Sequence, residues 1–358
     1  MKFVLRAVLI ATLSAAIGGA AQPVRSGSYR RAAETSREMA KLSTEGPLQP
    51  LEGGPEEQQR VLQSLVRALD HVQRTQSQGD VYLKVITRSS SLLYQLMTEG
   101  AAEASHGGRT VRIPDRKTLL GPTTTRERWA FNAGKVRYER RIVPEPAAGS
   151  PLDIQPELAY DGTISCVYWR SRGEGTVRTG ADPLLRLAEE PSSLTLTASG
   201  TRPFSEVLKS AGATCEGRQT IGDDECLKVS IPQGPGKAAI WISPVHGYRV
   251  RRSSYSPQVR GASGNYAVTE VDAFAQYGEQ WFPTKGKKIV FRQSETGHKD
   301  WMSAQEWTLV SYKPEAADCL FQIQFPLGTR IIDLIQDRTY TVGGEVAEPA
   351  PADKAGQP

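Results

Sequence analysis

Residues 213–255 read ATCEGRQTIGDDECLKVSIPQGPGKAAIWISPVHGYRVRRSSY. Four runs, Ala213–Ile221, Glu225–Ile231, Lys237–Ile242 and Tyr248–Tyr255, are separated by Gly222-Asp223-Asp224, a Gly-Pro-Gly turn and Ser243-Pro244-Val245-His246-Gly247. Glycine, proline and aspartate at such points supply tight turns. Short turns force neighbouring strands to run antiparallel, because parallel neighbours need long crossovers. The stretch therefore predicts a β-meander.

The same pattern continues on both sides. Downstream, Tyr266–Gln276, Gly286–Arg292, Ala304–Tyr312 and Leu320–Phe325 read as further strands. Upstream, Arg126–Phe131 and Lys135–Val143 flank the turn Asn132-Ala133-Gly134, and Leu158–Tyr160 and Thr163–Trp169 meet at Asp161-Gly162. Val136, Tyr138 and Ile142 share a face with Arg140, while Lys135, Arg137, Glu139 and Arg141 form an opposite face read as solvent-facing. Val81, Leu83 and Val85 alternate with Tyr82, Lys84 and Ile86 in an earlier strand. Before it lies an amphipathic helix. Pro55 suits its first position, Glu56 and Glu57 suit the positive end of its dipole, and Val61, Leu62, Leu65, Val66, Leu69 and Val72 recur on one face. Two short helical breaks are expected at Asp182-Pro183 and Arg202-Pro203.

The fold class these elements predict is mainly β (α+β). It is a large curved antiparallel sheet or half-open β-barrel with the N-terminal helix packed on it, in a single domain over residues 55–342. Residues 22–54 read as a flexible linker containing a short helix near Ala32–Leu42, and residues 343–358 as a disordered tail. Residues 1–21 read as a cleaved signal peptide: Lys2 and Arg6 open it, an apolar run spans Ala7–Ile17, and Gly19-Ala20-Ala21 fits the small-residue cleavage rule. That run is shorter than the roughly 20 apolar residues of a membrane span. The expected location is periplasmic or secreted, and not membrane-spanning.

Composition narrows the chemistry. The formal charge of +5 falls to +3 without Lys2 and Arg6, and the cationic residues are dispersed, which argues against nucleic acid as a partner. Four cysteines in an oxidising compartment allow two disulfides in three connectivities, and Cys215 with Cys226, flanking a turn, is the pair to test. The alternative is four buried free thiols. The sequence holds no G-x-S-x-G, H-E-x-x-H or C-x-x-C pattern. Gly234-Pro235-Gly236-Lys237 fails as a phosphate loop because Ile231 and Ala238 stand where glycine and a hydroxyl residue are needed. No cofactor or metal site is expected: Asp223, Asp224 and Glu225 lack the spacing of a calcium loop, and four histidines (His71, His106, His246, His298) form no motif.

Aromatic residues on strands are the candidate site. Trp129, Phe131, Tyr138, Tyr168, Trp241, Trp281 and Phe282 either line a concave apolar pocket or fill an ordinary core, and both readings stay open. Arg249, Arg251 and Arg252, with Lys285, Lys287 and Lys288, offer contacts to an anionic headgroup or acidic protein, but read first as a solvated strand edge.

Tyr160-Asp161-Gly162 leads into Ile164–Trp169, and Trp241-Ile242-Ser243-Pro244 turns through Gly247 into Tyr248–Arg252. Tyr277-Gly278-Glu279-Gln280-Trp281-Phe282-Pro283 precedes another strand. In this order, behind a signal peptide and an amphipathic helix, they give residues 55–312 a pattern that resembles the bacterial Lol-type (LolA/LolB-like) lipoprotein carriers. It is similar, too, to the related periplasmic stress-sensor regulators. The resemblance implies a half-open β-barrel with helices near its mouth. It also implies a non-catalytic envelope protein that binds a lipid, a lipidated protein or another apolar ligand. The alternative is a regulatory or scaffolding module for another envelope protein, with an exported hydrolase third. The chain departs from the carriers in its length and in the added Cys319–Tyr340. Phe325–Thr329 with Asp333 and Asp337–Tyr340 is similar to endings of uncharacterised exported bacterial proteins.

Overall fold

A computed structural model describes residues 42–75, 78–91, 93–95, 121–132, 134–143, 156–182, 184, 197–198, 202–210, 212–233, 236–257, 264–293 and 299–344. The expected signal peptide, the short helix before Leu42, His106 and His298 lie outside them.

Helix α1 (Gly54–Thr75) is followed by β1 (Gln78–Ser89), β2 (Thr123–Asn132), β3 (Lys135–Val143), β4 (Pro156–Tyr160), β5 (Ile164–Trp169) and β6 (Glu174–Thr179). A two-stranded ribbon of β7 (Thr197–Ala198) and β8 (Arg202–Pro203) leads into α2 (Phe204–Ser210). The second meander comprises β9 (Thr214–Ile221), β10 (Asp224–Gln233), β11 (Gly236–Ser243), β12 (Arg249–Pro257), β13 (Gly264–Tyr277), β14 (Gln280–Gln293) and β15 (Lys299–Lys313). β16 (Arg330–Asp333) and β17 (Arg338–Thr341) close the described chain. Fifteen strands form one sheet in the order β17-β16-β6-β5-β4-β3-β2-β1-β15-β14-β13-β12-β11-β10-β9. The two meanders are joined where β1 pairs with β15, Val85 opposite Trp307. The sheet does not close on itself, since β17 and β9 are its edges.

Two expectations are corrected here. The sheet is mixed, because β16 runs parallel to β6, with Ile331 opposite Gly175. Gly175 leaves room there: a Cβ would run into Phe325 and Ile331. The expected strand at Leu320–Phe325 is instead a 3-10 turn (Asp318–Phe321) and an extended run without a ladder. Its alternation is real but serves another purpose. Phe321 packs with Ala130 and Ala316, and Ile323 and Phe325 with Ala159 and Tyr168, so the segment lies across a sheet face. The Arg137 guanidinium donates to the carbonyls of Leu320 and Gln322, taking the place of a neighbouring strand.

The buried face of α1 is Leu62, Leu65, Leu69 and Val72, at helical spacing. These residues share an apolar cluster with Phe204 and Leu208 of α2 and with Cys215, Val229, Ile240 and Val250 of the sheet. Thr75 Oγ1 donates to the carbonyls of His71 and Val72 and closes the last turn. On β10, Leu227, Val229 and Ile231 belong to this cluster, so the residues between them point to the opposite face.

That opposite face is crossed by residues from the stretch read as a linker. Ser43–Gln49 forms a strap along the edge strand β9: Gly46 N donates to Thr220 O at 2.9 Å, and Gln49 and Arg218 exchange bonds of 2.8 and 2.9 Å. Gly217 (φ 147°) lies so close to Gln49 O that a Cβ would collide with it. The strap covers an edge that would otherwise offer unpaired donors and acceptors. Its far end docks on a buried ion pair: Glu270 is wholly buried, accepts from Ser43 N at 3.0 Å, and faces Arg252, which is 1 % exposed. Arg252 in turn holds Ser43 O and Glu45.

The β3 face read as solvent-facing carries an ion ladder. Asp80 takes Arg128 (2.9 and 2.8 Å), Arg128 approaches Glu139 (3.8 Å), Arg137 bridges Glu139 (2.6 Å) and Glu157 (3.2 Å), and Arg170 ends it on Glu157. Signs alternate along the ladder, so each charge meets an opposite one as water is withdrawn.

Candidate functional site

The other face of the first meander carries the largest aromatic cluster. Register aligns Tyr312, Val81, Trp129, Tyr138, Leu158 and Val167 in one row crossing β15, β1, β2, β3, β4 and β5. Residues directly opposite one another share a face, so all six lie on the same side. The Trp129 and Tyr138 rings lie 4.3 Å apart, and Tyr312 stacks on Phe282 at 4.0 Å. A parallel row holds Val85, Trp307, Gly286 and Val271, with the Trp307 ring filling the space a Cβ at Gly286 would need. Phe131 and Val136 flank the cluster at partial burial.

Polar groups punctuate this surface. Between the rows, Arg140 approaches Glu127 at 3.6 Å. Trp129 Nε1, Trp307 Nε1, Thr87 Oγ1 and Thr123 Oγ1 are buried with no hydrogen-bond partner. Thr87 and Thr123 face each other in the β1–β2 register. Buried donors are normally paired, so four unmet hydroxyl and indole groups along one surface distinguish it from an ordinary core.

At the end of the row sits the turn that the sequence marks as Ser243–Gly247. Tyr248 leaves it in the left-handed region (φ 61°), an uncommon conformation for a bulky residue. Arg249 follows, 1 % exposed, donating from Nε to Trp281 O at 2.7 Å with its guanidinium 5.8 Å from the Phe282 ring centre. Burial pulls its pKa down to about 10, which leaves it protonated at neutral pH. Burial pushes the Tyr312 phenol up, while the nearby Arg249 pulls it back.

His246 stacks on Phe274 (4.5 Å) and meets Trp281 edge-on (4.9 Å). Ser243 Oγ lies 3.0 Å from its Nδ1 and Asp224 Oδ2 2.9 Å from the same atom. A serine, a histidine and an acid are thus together, but not as a catalytic relay. There the nucleophile and the acid occupy different ring nitrogens. Here both contacts fall on Nδ1, and Ser243 is wholly buried, so the group pins the turn.

Of the seven aromatic candidates, Trp129, Phe131, Tyr138 and Phe282 share the aromatic face. Tyr168 does not: Val167 takes that face and Tyr168 points to the other, packed with Ile323 and Phe325. Trp241 lies opposite α1, bonded through Nε1 to Gln219 at 2.8 Å and flanked by Lys228 and Arg252. Trp281 belongs to the His246 turn. Trp307 and Tyr312 were not among the seven aromatic candidates: five residues apart, they fall on opposite faces by strict alternation, and the bulge between Leu309 and Ser311 brings them to one.

Several further expectations change. Arg249, Arg251 and Arg252 are buried rather than a solvated edge. Arg251 approaches Asp224 at 3.6 Å, Glu225 pairs with Arg218 at 2.6 Å, and Lys287 lies 3.3 Å from Asp272. Among the described residues no group of three ligating side chains could hold a metal ion. Cys215 and Cys226 are free thiols in different apolar clusters. Cys226 pairs with Gln219, four residues from Cys215, placing the two about 13 Å apart along the strands, well beyond disulfide reach. Burial raises both thiols, Cys226 to about 12. No helix among the described residues is long and apolar enough to cross a membrane.

No protein-family model matches the sequence, and no curated protein matches it. Among solved structures, the chain is similar to a LolA superfamily protein from Nitrosomonas europaea, at 13 % identity and a TM-score of 0.42 over 73 % of this chain and 97 % of that one. It is similar to a DUF1329 family protein from Desulfovibrio piger, at 12 % identity and a TM-score of 0.43 over 74 % and 96 %. It is also similar to a chain of the Pseudomonas aeruginosa MucA/MucB complex, at 10 % identity and a TM-score of 0.24 over 71 % and 100 %.

Proposed function

We propose that the chain is a non-catalytic protein of the bacterial envelope that binds a lipid, a lipidated protein or another apolar ligand against the aromatic face. One observation carries the proposal: six aligned strands present a continuous apolar row, and on the same face the indoles of Trp129 and Trp307 and the hydroxyls of Thr87 and Thr123 are buried with no hydrogen-bond partner. Five strand spacings make that row about 24 Å long, a length suited to an extended acyl chain. Each CH₂ withdrawn from water there contributes about 0.8 kcal/mol, so affinity needs no covalent chemistry. In this reading sheet twist makes the face concave, and α1 flanks its mouth. The charged amino-terminal segment with its apolar run supports export.

A second reading, a module that docks another envelope protein, draws on the opposite edge. Leu327 (84 % exposed), Leu334 and Ile335 stand out near the edge strand β17.

Native mass spectrometry of the full chain purified from envelope, followed by solvent extraction, tests the first reading. The expected result is an adduct of lipid mass that is lost in Trp129→Ala. A bare polypeptide mass, with no uptake when lipid is added back, would contradict it.

A further inference from the structure

Arg249 is the least compensated charge in the described structure. It is 1 % exposed, and among the described residues no carboxylate lies within ion-pair distance. Among the described residues its one hydrogen bond is from Nε to the Trp281 carbonyl. The neighbouring arginines have anions nearby: Arg252 holds Glu270 and Glu45, and Arg251, whose Nε and one terminal nitrogen make no hydrogen bond, has Asp224 at 3.6 Å. A buried cation without an anion is costly, and proteins usually pair such groups.

Its position says what would pair it. The guanidinium lies over Phe282, Phe282 stacks on Tyr312, and Tyr312 stands opposite Val81 at the start of the apolar row. The charge therefore sits at the head of a hydrophobic track. The backbone that delivers it is strained at Tyr248, and the preceding turn is pinned by Ser243, His246 and Asp224. Strain held by surrounding contacts is the mark of a placed residue.

We infer that Arg249 is the head-recognising residue of the aromatic face, and that the ligand is an amphiphile with one anionic head, carboxylate or phosphate, on an apolar tail. This inference rests on the aromatic face being a ligand site. The head forms a charge-assisted, bidentate contact with the guanidinium, and the tail runs along Tyr312, Val81 and Trp129.

The test uses delipidated full-length protein and two matched probe pairs: oleate against oleyl alcohol, and oleoyl lysophosphatidate against mono-olein. Wild type is expected to favour the anionic member of at least one pair by about tenfold or more. The pair showing the preference identifies carboxylate or phosphate as the head. Arg249→Met is expected to abolish the preference while leaving the neutral probes bound as before, and Arg249→Lys to keep part of it. Because the cation is uncompensated, unliganded Arg249→Met is expected to melt no lower than wild type. A preference that survives in Arg249→Met overturns the inference. So does a lower melting temperature with unchanged preference, which would make Arg249 a structural tie to the Trp281 carbonyl. Equal binding of charged and neutral probes by wild type rejects the head assignment and leaves the apolar site standing. Binding of neither rejects both.

Discussion

Replacing Glu270 by alanine removes the acid on which the strap and the second meander converge. Its carboxylate accepts from Ser43 N and Oγ, pairs with Arg252, and lies 3.5 Å from Lys287. Arg252 is 1 % exposed, so the substitution leaves a dry guanidinium short of one anion. Breaking a buried pair from one side costs about 3–5 kcal/mol. Arg252 keeps Glu45 and the Ser43 carbonyl, and Lys287 keeps Asp272, which places the expected loss near the lower end, about 3 kcal/mol. In urea that is a midpoint shift of about 1 M at a slope of about 3 kcal/mol/M. Faster hydrogen exchange at the Gly46 and Gln49 amides, which bond to β9, should accompany it. The double variant Arg252→Met/Glu270→Met should recover more than half of the loss, since apolar residues can replace a buried pair. A single-variant loss below about 1 kcal/mol, with Gly46 and Gln49 exchange unchanged, would refute the view that this pair anchors the strap.

Three further outcomes follow from other parts of the molecule. In Gly286→Ala the new Cβ would stand 2.5 Å from the Glu270 carbonyl oxygen and inside the Trp307 ring, so destabilisation of about 1–3 kcal/mol and an altered near-UV tryptophan spectrum are expected. At Glu216, burial pushes the pKa up but bonds from Lys237, Ser230 and Lys228 outweigh it and bring it to about 2, against 4.5 when unpaired. A depressed acid stabilises the fold above its unfolded pKa and loses that contribution as pH falls. The urea midpoint of wild type should therefore drop between about pH 4.5 and 2 more steeply than that of Glu216→Gln. Peptide mapping of protein purified without reductant should find no Cys215–Cys226 bridge, and finding one would overturn the β9–β10 register.

The hairpins were legible because turn chemistry is local: Gly134, Gly162 and Gly222 all adopt positive φ where the sequence marks a reversal. Alternation also assigned residues to faces, as with Val136 and Tyr138. It could not single out one face, because both sides of the first meander bury apolar side chains. Tyr168 was therefore grouped with Trp129 although Val167 is the one beside Leu158. Long-range pairing was not legible. β1 meets β15, and β6 meets β16, across more than a hundred residues with no local signature. The burial of Arg252 depends on Glu45 and Glu270, which the meander alone does not bring near it. A row of arginines on one strand thus read as a wet edge, when it is a set of buried anchors and one unpaired charge.

Whether an apolar tail lies on the Trp129 face is read out by quenching of tryptophan fluorescence with dibrominated stearate. Trp129 and Trp307 line that face, whereas Trp241 belongs to the opposite side with Gln219 and Arg252. Saturable quenching is expected in wild type and should be largely lost in Trp129→Phe/Trp307→Phe, with the quencher still bound. Quenching undiminished in that double variant, or none in wild type, would contradict that placement of the tail.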